Sequence, residues 1–324
     1  QGNQVNLDGN YKTSNSSFDM KLVIEKLNLK SIQGFTFNTI TESTGFLTGN
    51  FSITGNTKQP KIIGQLQFND IGFKATQLNS KFKSANDKIV FTSEAILFDN
   101  FTIKDEKDND LTINGKINSQ NFSNFGFDLA IDADNFKAIN SEAKDNALYY
   151  GELFLDNHLK IKGNLDNPIV EGNIKINKDT KFTIVLPQSD PSIADREGIV
   201  EFIDQDHPQV IETVATDQIN SVSEVKGINA SVNIVIDKEA ELSIIIDKVN
   251  GDYLKLKGEA QLNGGMDPSG KTTLTGKYEF SEGSYEMTFS SIKRKFDIKK
   301  GSYILWTGEP TTANINITAV YKAK

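Results

Sequence analysis

The sequence predicts an all-β protein: an elongated antiparallel sheet with very little helix. Three observations carry that reading. Strand-like patterning runs from about residue 18 to residue 321, and its dominant period is two, the mark of strands with one buried and one wet face. The chain of 324 residues exceeds the roughly 250–300 residues at which one compact core stops growing, yet no Pro/Gly/Ser-rich linker divides it. A frame of strand, turn and strand also recurs within it.

The alternation begins clearly at Phe51-Ser-Ile53 and Leu66-Gln-Phe68, and continues through Leu111-Thr-Ile113-Asn-Gly115-Lys-Ile117, Leu159-Lys-Ile161 and Ile174-Lys-Ile176. Val232, Ile234 and Ile236, followed across Asp237-Lys238-Glu239 by Leu242, Ile244 and Ile246, read as a hairpin. Further strands are expected at Tyr253–Leu262, Thr272–Phe280, Tyr285–Phe289, Lys295–Lys299 and Ala313–Tyr321. Turn chemistry separates them at Asp99-Asn100, Asp108-Asn109, Gly264-Gly265, Asp267-Pro268-Ser-Gly270 and Glu282-Gly283. The best helical candidate starts at Asp190-Pro191 and runs toward Gly198, with a short strand at Ile199–Ile203 and a polar loop over 205–226.

The internal repeat pairs Ile53-Thr-Gly55-Asn-Thr-Lys-Gln-Pro60-Lys-Ile-Ile-Gly64 with Ile161-Lys-Gly163-Asn-Leu-Asp-Asn-Pro168-Ile-Val-Glu-Gly172, without gaps. In each copy a glycine ends one strand and a proline interrupts ladder pairing before the next begins. Stacked units of this kind mark a quasi-one-dimensional architecture.

Composition excludes several functions. A net charge of −8 and a pI near 5.0 argue against a nucleic-acid partner, since phosphate binding requires a clustered basic face. The one basic cluster, Lys293-Arg294-Lys295 with Lys299 and Lys300, is short and lies in strand-like sequence. There are no cysteines, which removes disulfides and thiolate chemistry. No stretch supplies the ~18 apolar residues of a membrane helix; Val232 to Ile246 comes nearest and is broken by Asp237, Lys238, Glu239 and Glu241. Because the chain begins at Gln1 without a leader, any membrane anchor is expected outside these residues.

Catalysis finds little foothold. His158 and His207 stand apart with no metal-ligand spacing. Asp105-Glu-Lys-Asp-Asn-Asp110 lacks the calcium-loop pattern and reads as a hairpin tip, while Asp128 and Asp132 flank apolar residues on a wet strand face. No G-x-S-x-G and no phosphate-cradling glycine loop occurs. The expectation is a non-enzymatic protein without cofactors or metals. Alternation alone leaves two arrangements open: a closed sandwich, or a sheet curled along its length around a continuous apolar groove.

The C-terminal third adds a resemblance. Asp267-Pro-Ser-Gly270, Leu274-Thr-Gly276-Lys-Tyr278, Glu282-Gly283-Ser-Tyr285, Lys295-Phe296-Asp-Ile298, Gly301-Ser302-Tyr-Ile304-Leu-Trp306-Thr-Gly308-Glu-Pro310 and Ala313 through Tyr321 resemble the closing segment of the TamB family. Leu186-Pro-Gln-Ser-Asp-Pro191 through Asp204 is similar to the Bacteroidota version of that domain. The resemblance spans about residues 45 to 321. It implies four segments: an uncertain β segment over 1–44, a repeat-containing groove over 45–204, a polar loop over 205–226, and the signature segment over 227–324. It further implies a bridge in the Gram-negative periplasm, anchored in the inner membrane by a helix upstream of this chain. The groove would conduct phospholipids to the outer membrane, and the C-terminal end would dock an Omp85 (TamA/BamA-type) barrel. The competing role is outer-membrane protein assembly by strand pairing, with an adhesin or glycan-binding solenoid third.

For such a groove the expected lining is Phe51, Ile53, Leu66, Phe68, Leu111, Ile113, Ile174, Ile176, Val232, Ile234, Ile236, Leu242, Ile244, Ile246, Ile315 and Ile317, where acyl chains would lie. Docking would use Trp306, Ala313, Ile315, Ile317, Ala319 and Tyr321 at the last strand, and a proline at Ile317 is expected to abolish it.

Overall fold

The computed structural model describes residues 2–84, 86–120, 124–186, 227–248, 250–289 and 292–322. The expected helix at Asp190, the strand at Ile199–Ile203, His207 and the 205–226 loop lie outside the described residues. The rest is one sheet of twenty strands. In chain order these are β1 (Gln4–Lys12), β2 (Ser17–Asn28), β3 (Ile40–Asn56), β4 (Gln59–Ala75), β5 (Ser80–Ser84), β6 (Lys88–Phe91), β7 (Ala95–Lys104), β8 (Asp110–Gln120), β9 (Asn124–Ser141) and β10 (Tyr149–Asn164). They continue with β11 (Pro168–Ile176), β12 (Lys181–Val185), β13 (Asn229–Ile236), β14 (Glu241–Asp247), β15 (Asp252–Met266) and β16 (Thr272–Phe289). The last are β17 (Ile292–Ile298), β18 (Tyr303–Gly308), β19 (Ala313–Asn316) and β20 (Ala319–Tyr321). Helix is confined, among the described residues, to one turn at Leu29–Ile32 and a 3-10 turn at Gln33–Thr36.

Many of the short strands are halves of longer ones. β11 and β12 both pair with β10, and β13 and β14 both pair with β15, so each couple lies end to end along a single neighbour. β17 and β18 share β16 in the same way, and β5 and β6 share β4. Between the halves a few residues are inserted: Asn177 to Thr180, Asp237 to Ala240 and Lys299 to Ser302. In unbroken strands, register shifts occupy the same position, at Leu153/Phe154 and Leu155/Asn157 in β10 and at Lys257/Gly258 in β15. Extra residues on one strand bend a sheet. A file of them divides this sheet into two legs that face each other.

This geometry corrects several expectations. Asp99-Asn100, Gly264-Gly265 and Glu282-Gly283, expected as turns, lie inside β7, β15 and β16. Val232–Ile236 and Leu242–Ile246 form no hairpin, because Asp237-Lys-Glu-Ala240 interrupts a straight run instead of reversing it. The sheet is also not antiparallel throughout: β13 lies parallel to β11 and β14 parallel to β12. Along that seam each residue faces the one 60 positions on, from Ile169 against Asn229 to Val185 against Ile245. The two inserts stack too, with Asp237 N–H donating to the Ile176 carbonyl and Glu241 N–H to that of Thr180. Thr180 and Ala240, the last insert residues, are buried.

The repeated I-x-G-N frame marks hairpin turns at the free edge of one leg. Gly55 (φ +103°) and Gly163 (φ +83°) pair with Pro60 and Pro168, and a Cβ at either would lie 2.3 Å from the carbonyl oxygen of Gln59 or Asn167. Only glycine fits. Asn56 and Asn164 then accept the backbone N–H groups two and three residues on through Oδ1, an Asx turn in each copy.

Carboxylates pin the bend. Asp105, 1% exposed, accepts the backbone N–H groups of Lys107, Asn109 and Lys137 at 2.7–2.9 Å. Asp156 accepts from Asn135 N–H at 2.8 Å and Asn177 Nδ2 at 2.6 Å. Partial burial pushes the Asp156 carboxyl up, but Asn177, the Asn135 N–H and Lys175 together hold it below the ordinary carboxylate range. Lys137 likewise lowers Glu152 through a 2.6 Å contact. A depressed folded pKa means a contribution that is complete above the unfolded value near ~4 and disappears as pH falls through the folded one. Thermal unfolding followed between pH 7 and 3 should show constant stability to about pH 5 and a decline below it, with a smaller decline in Asp156→Asn.

Candidate functional site

Pairing register decides which side chains share a face, because successive residues of a strand point to opposite sides. The inner face carries rows that run from strand to strand. One reads Phe101, Ile113, Ile131, Leu159, Gly172, Val232, Gly264, Leu274. The next reads Ile103, Leu111, Ala133, Asn157, Ile174, Ile234, Leu262, Gly276, Trp306, Ala313. A third, toward the N-terminus, is Leu22, Phe51, Gly64, Phe91, Ile96, Ile117, Phe127. Neither ion pairs nor charges interrupt them.

The outer face is the converse. Thr112, Asp132, His158, Asn173, Asn233, Asn263 and Thr275 form one polar row. His158 contacts Asp132, and Asn263, Asn233 and Asn173 pass a carboxamide ladder at 3.0 and 3.1 Å. On the other leg Glu152, Lys181, Glu241, Lys257 and Glu282 alternate in sign across adjacent strands. Such an exterior stays in water and leaves the apolar rows inside.

The inner face changes character along its length. At the C-terminal end the legs meet: Ile236, Ala240, Leu254, Leu256, Ala260, Tyr278, Phe280, Ile298 and Ile304 form one buried cluster drawn from both. Tyr278 and Phe280 pack edge to face at 5.0 Å, and burial raises the Tyr278 hydroxyl well above its usual range. Toward the middle of the chain Ile71, Phe82, Phe101, Phe136, Ile139 and Phe154 are buried as well. An apolar hollow of about 300 Å³ opens there, lined by Phe73, Leu78, Phe82, Ile103, Leu111, Phe136, Ala138, Leu155 and Asn157. Phe82 and Phe136 stack at 5.4 Å on its wall.

The expected lining residues divide accordingly. Phe51, Ile53, Leu66, Phe68, Leu111, Ile113, Ile174 and Val232 lie on the inner face and, except for the buried Phe51, are half-buried. Ile236 is a member of the closed cluster, and Ile176, Ile234, Leu242, Ile244 and Ile317 pack against it. These six therefore belong to packed core and not to open groove. Ile246 and Ile315 are exposed, at 38% and 66%, one at the register shift of β14 and the other on β19.

Of the docking residues, Ala313, Ile315, Ala319 and Tyr321 lie on β19 and β20, which pair only with β18 and β17 and so present an unpaired edge among the described residues. Trp306 is one strand in, packed on the cluster, with Nε1 donating to the Pro310 carbonyl at 3.1 Å. Phe73, Phe82, Phe136 and Leu155 were not anticipated. Phe73, Phe82 and Phe136 each stand one residue from a lysine, an alternation as regular as those that were read.

The family described as TamB C-terminal domain matches residues 99–324, more than half of the chain. No curated protein and no solved structure matches it.

Proposed function

This chain belongs to the TamB C-terminal domain family, and from that membership we propose that its curled sheet is a conduit segment whose apolar inner face shelters phospholipid acyl chains. The family ties the chain to the translocation and assembly module of the Gram-negative envelope and to its Omp85 component. The observation that supports conduction is the inner rows themselves: apolar positions in register across successive strands, many of them half-buried. Each CH₂ kept from water lowers the cost of carrying a chain across an aqueous gap by ~0.8 kcal/mol. Transfer of this kind requires no bond chemistry, so the reading is of a carrier and not an enzyme.

Organic extraction of the purified chain from a membrane-containing bacterial lysate, with mass spectrometry of the extract, tests it. Phospholipid is expected with the wild type and is expected to be lost in Leu111→Asp, which places a charge in the hollow while leaving the closed cluster untouched. A folded Leu111→Asp protein that keeps its lipid would rule the conduit out.

A second reading, docking or assembly by strand pairing, draws on the free edge of β19 and β20, where Ile315, Val320 and Tyr321 are 66%, 37% and 44% exposed. An extended partner strand would satisfy the open backbone groups. Because Ile317 packs on the core, a proline there would damage the fold as well as the edge. Ile315→Lys is the better probe, since an edge lysine discourages strand addition without removing a core contact. Binding to the barrel partner should fall at least tenfold by surface plasmon resonance, while the melting temperature stays unchanged.

A further inference from the structure

We propose that the basic strip along the closing strands seats on the surface of an anionic phospholipid bilayer. The inference goes beyond the conduit reading and stands without it. Residues 292–322 carry six basic side chains, Lys293, Arg294, Lys295, Lys299, Lys300 and Lys322, against Asp297 and Glu309, in a chain whose net charge is −8. All six are exposed. The acids of β16 and β17 are matched already: Glu279 with Lys277 at 2.6 Å, Glu286 with Lys295 at 3.6 Å, Asp297 with Lys322 at 3.0 Å, and Glu282 opposite Lys257. Lys293, Lys299 and Lys300 enter no ion pair among the described residues. The Arg294 guanidinium lies 5.4 Å over the ring of Tyr321.

What distinguishes this strip from ordinary solvated charge is the apolar surface woven into it. Ile292, Val320 and Tyr321 are 56%, 37% and 44% exposed. Cations beside exposed aliphatic and aromatic side chains suit the boundary of a leaflet, where phosphates lie directly above acyl carbon. β20 ends at Tyr321, opposite Phe296, so Ile292 to Lys295 form an open edge among the described residues. Edge lysines also discourage strand addition, which accounts for Lys293 and Lys295. It accounts neither for Lys299 and Lys300, which stand in the insert between β17 and β18, nor for the exposed Ile292. The inner-face row Leu254, Tyr285, Phe296, Tyr321 ends at the ring that Arg294 covers, so a leaflet seated here adjoins the apolar face.

Flotation of the full chain with vesicles tests the seat, with phosphatidylcholine alone set against an equimolar mixture with phosphatidylglycerol. Binding is expected to the mixed vesicles only, and to weaken as salt rises. Lys293→Gln, Arg294→Gln and Lys300→Gln together should weaken it on the order of a hundredfold, since each basic side chain near such a surface contributes roughly fivefold. The same charge change in β1 to β4, Lys12→Gln, Lys58→Gln and Lys61→Gln, should leave it unchanged. Both triple variants should keep the wild-type melting temperature, because all six side chains are exposed. Equal losses in the two triples would overturn the strip as the seat. Equal binding to phosphatidylcholine alone would mean that the apolar face takes up lipid by itself, which would overturn the charged seat and leave the conduit standing. No binding to the mixed vesicles would also overturn it, and would make an acidic protein the better partner, with the conduit still decided by lipid extraction.

Discussion

Phe280→Ala should lower the unfolding free energy by about 3–5 kcal/mol, the usual cost of emptying a large aromatic site in a core that cannot collapse. Phe280 is 1% exposed, and its neighbours in the cluster come from both legs of the sheet. Deleting the ring removes contacts that hold the legs together. Ile113→Ala, at a half-buried position of the inner face, should cost about 1 kcal/mol or less. Urea unfolding followed by circular dichroism measures both. Similar losses at the two sites would mean that the interior is filled along its whole length, and the groove would be a sandwich.

Asp105→Ala should cost roughly 2–4 kcal/mol, because three backbone N–H groups lose their acceptor in a buried corner. One of the three, from Lys137, belongs to β9, while the others close the turn between β7 and β8. The carboxylate thus fastens that turn to the bend. Asp105→Asn, which keeps one acceptor oxygen, should fall between wild type and Asp105→Ala in the same denaturation series. A neutral Asp105→Ala would show that the turn is carried by the ladders alone.

Period-two alternation was enough to place strands and to assign their faces, because a strand that wets one side leaves a regular trace in its sequence. Leu111/Ile113 and Ile174 fall on the inner face as their alternation requires. What alternation does not encode is the partner. Asp237-Lys-Glu looks like a reversal, and only β15, lying along both Val232–Ile236 and Leu242–Ile246, shows it to be an insert. The same sequence form recurs as Ile176-Asn-Lys-Asp-Thr180 and Ile236-Asp-Lys-Glu-Ala240, a correspondence whose meaning depends on a parallel contact 60 residues apart. Nor does alternation distinguish a half-buried position from a buried one. Ile236 and Leu111 read alike; one is sealed within the packed cluster, and the other borders a hollow.

The parallel seam between β11/β12 and β13/β14 has a consequence for how such a protein changes in length over evolution. Since both couples offer the same register to their neighbours, β13/β14 could take the place of β11/β12 against β10 after loss of a single 60-residue block. Inside and outside would keep their faces across the junction, and a duplication of that block would extend the span in the same increment. Reach across a compartment becomes a heritable quantity that changes by whole modules, with the chemistry of the wall left as it was.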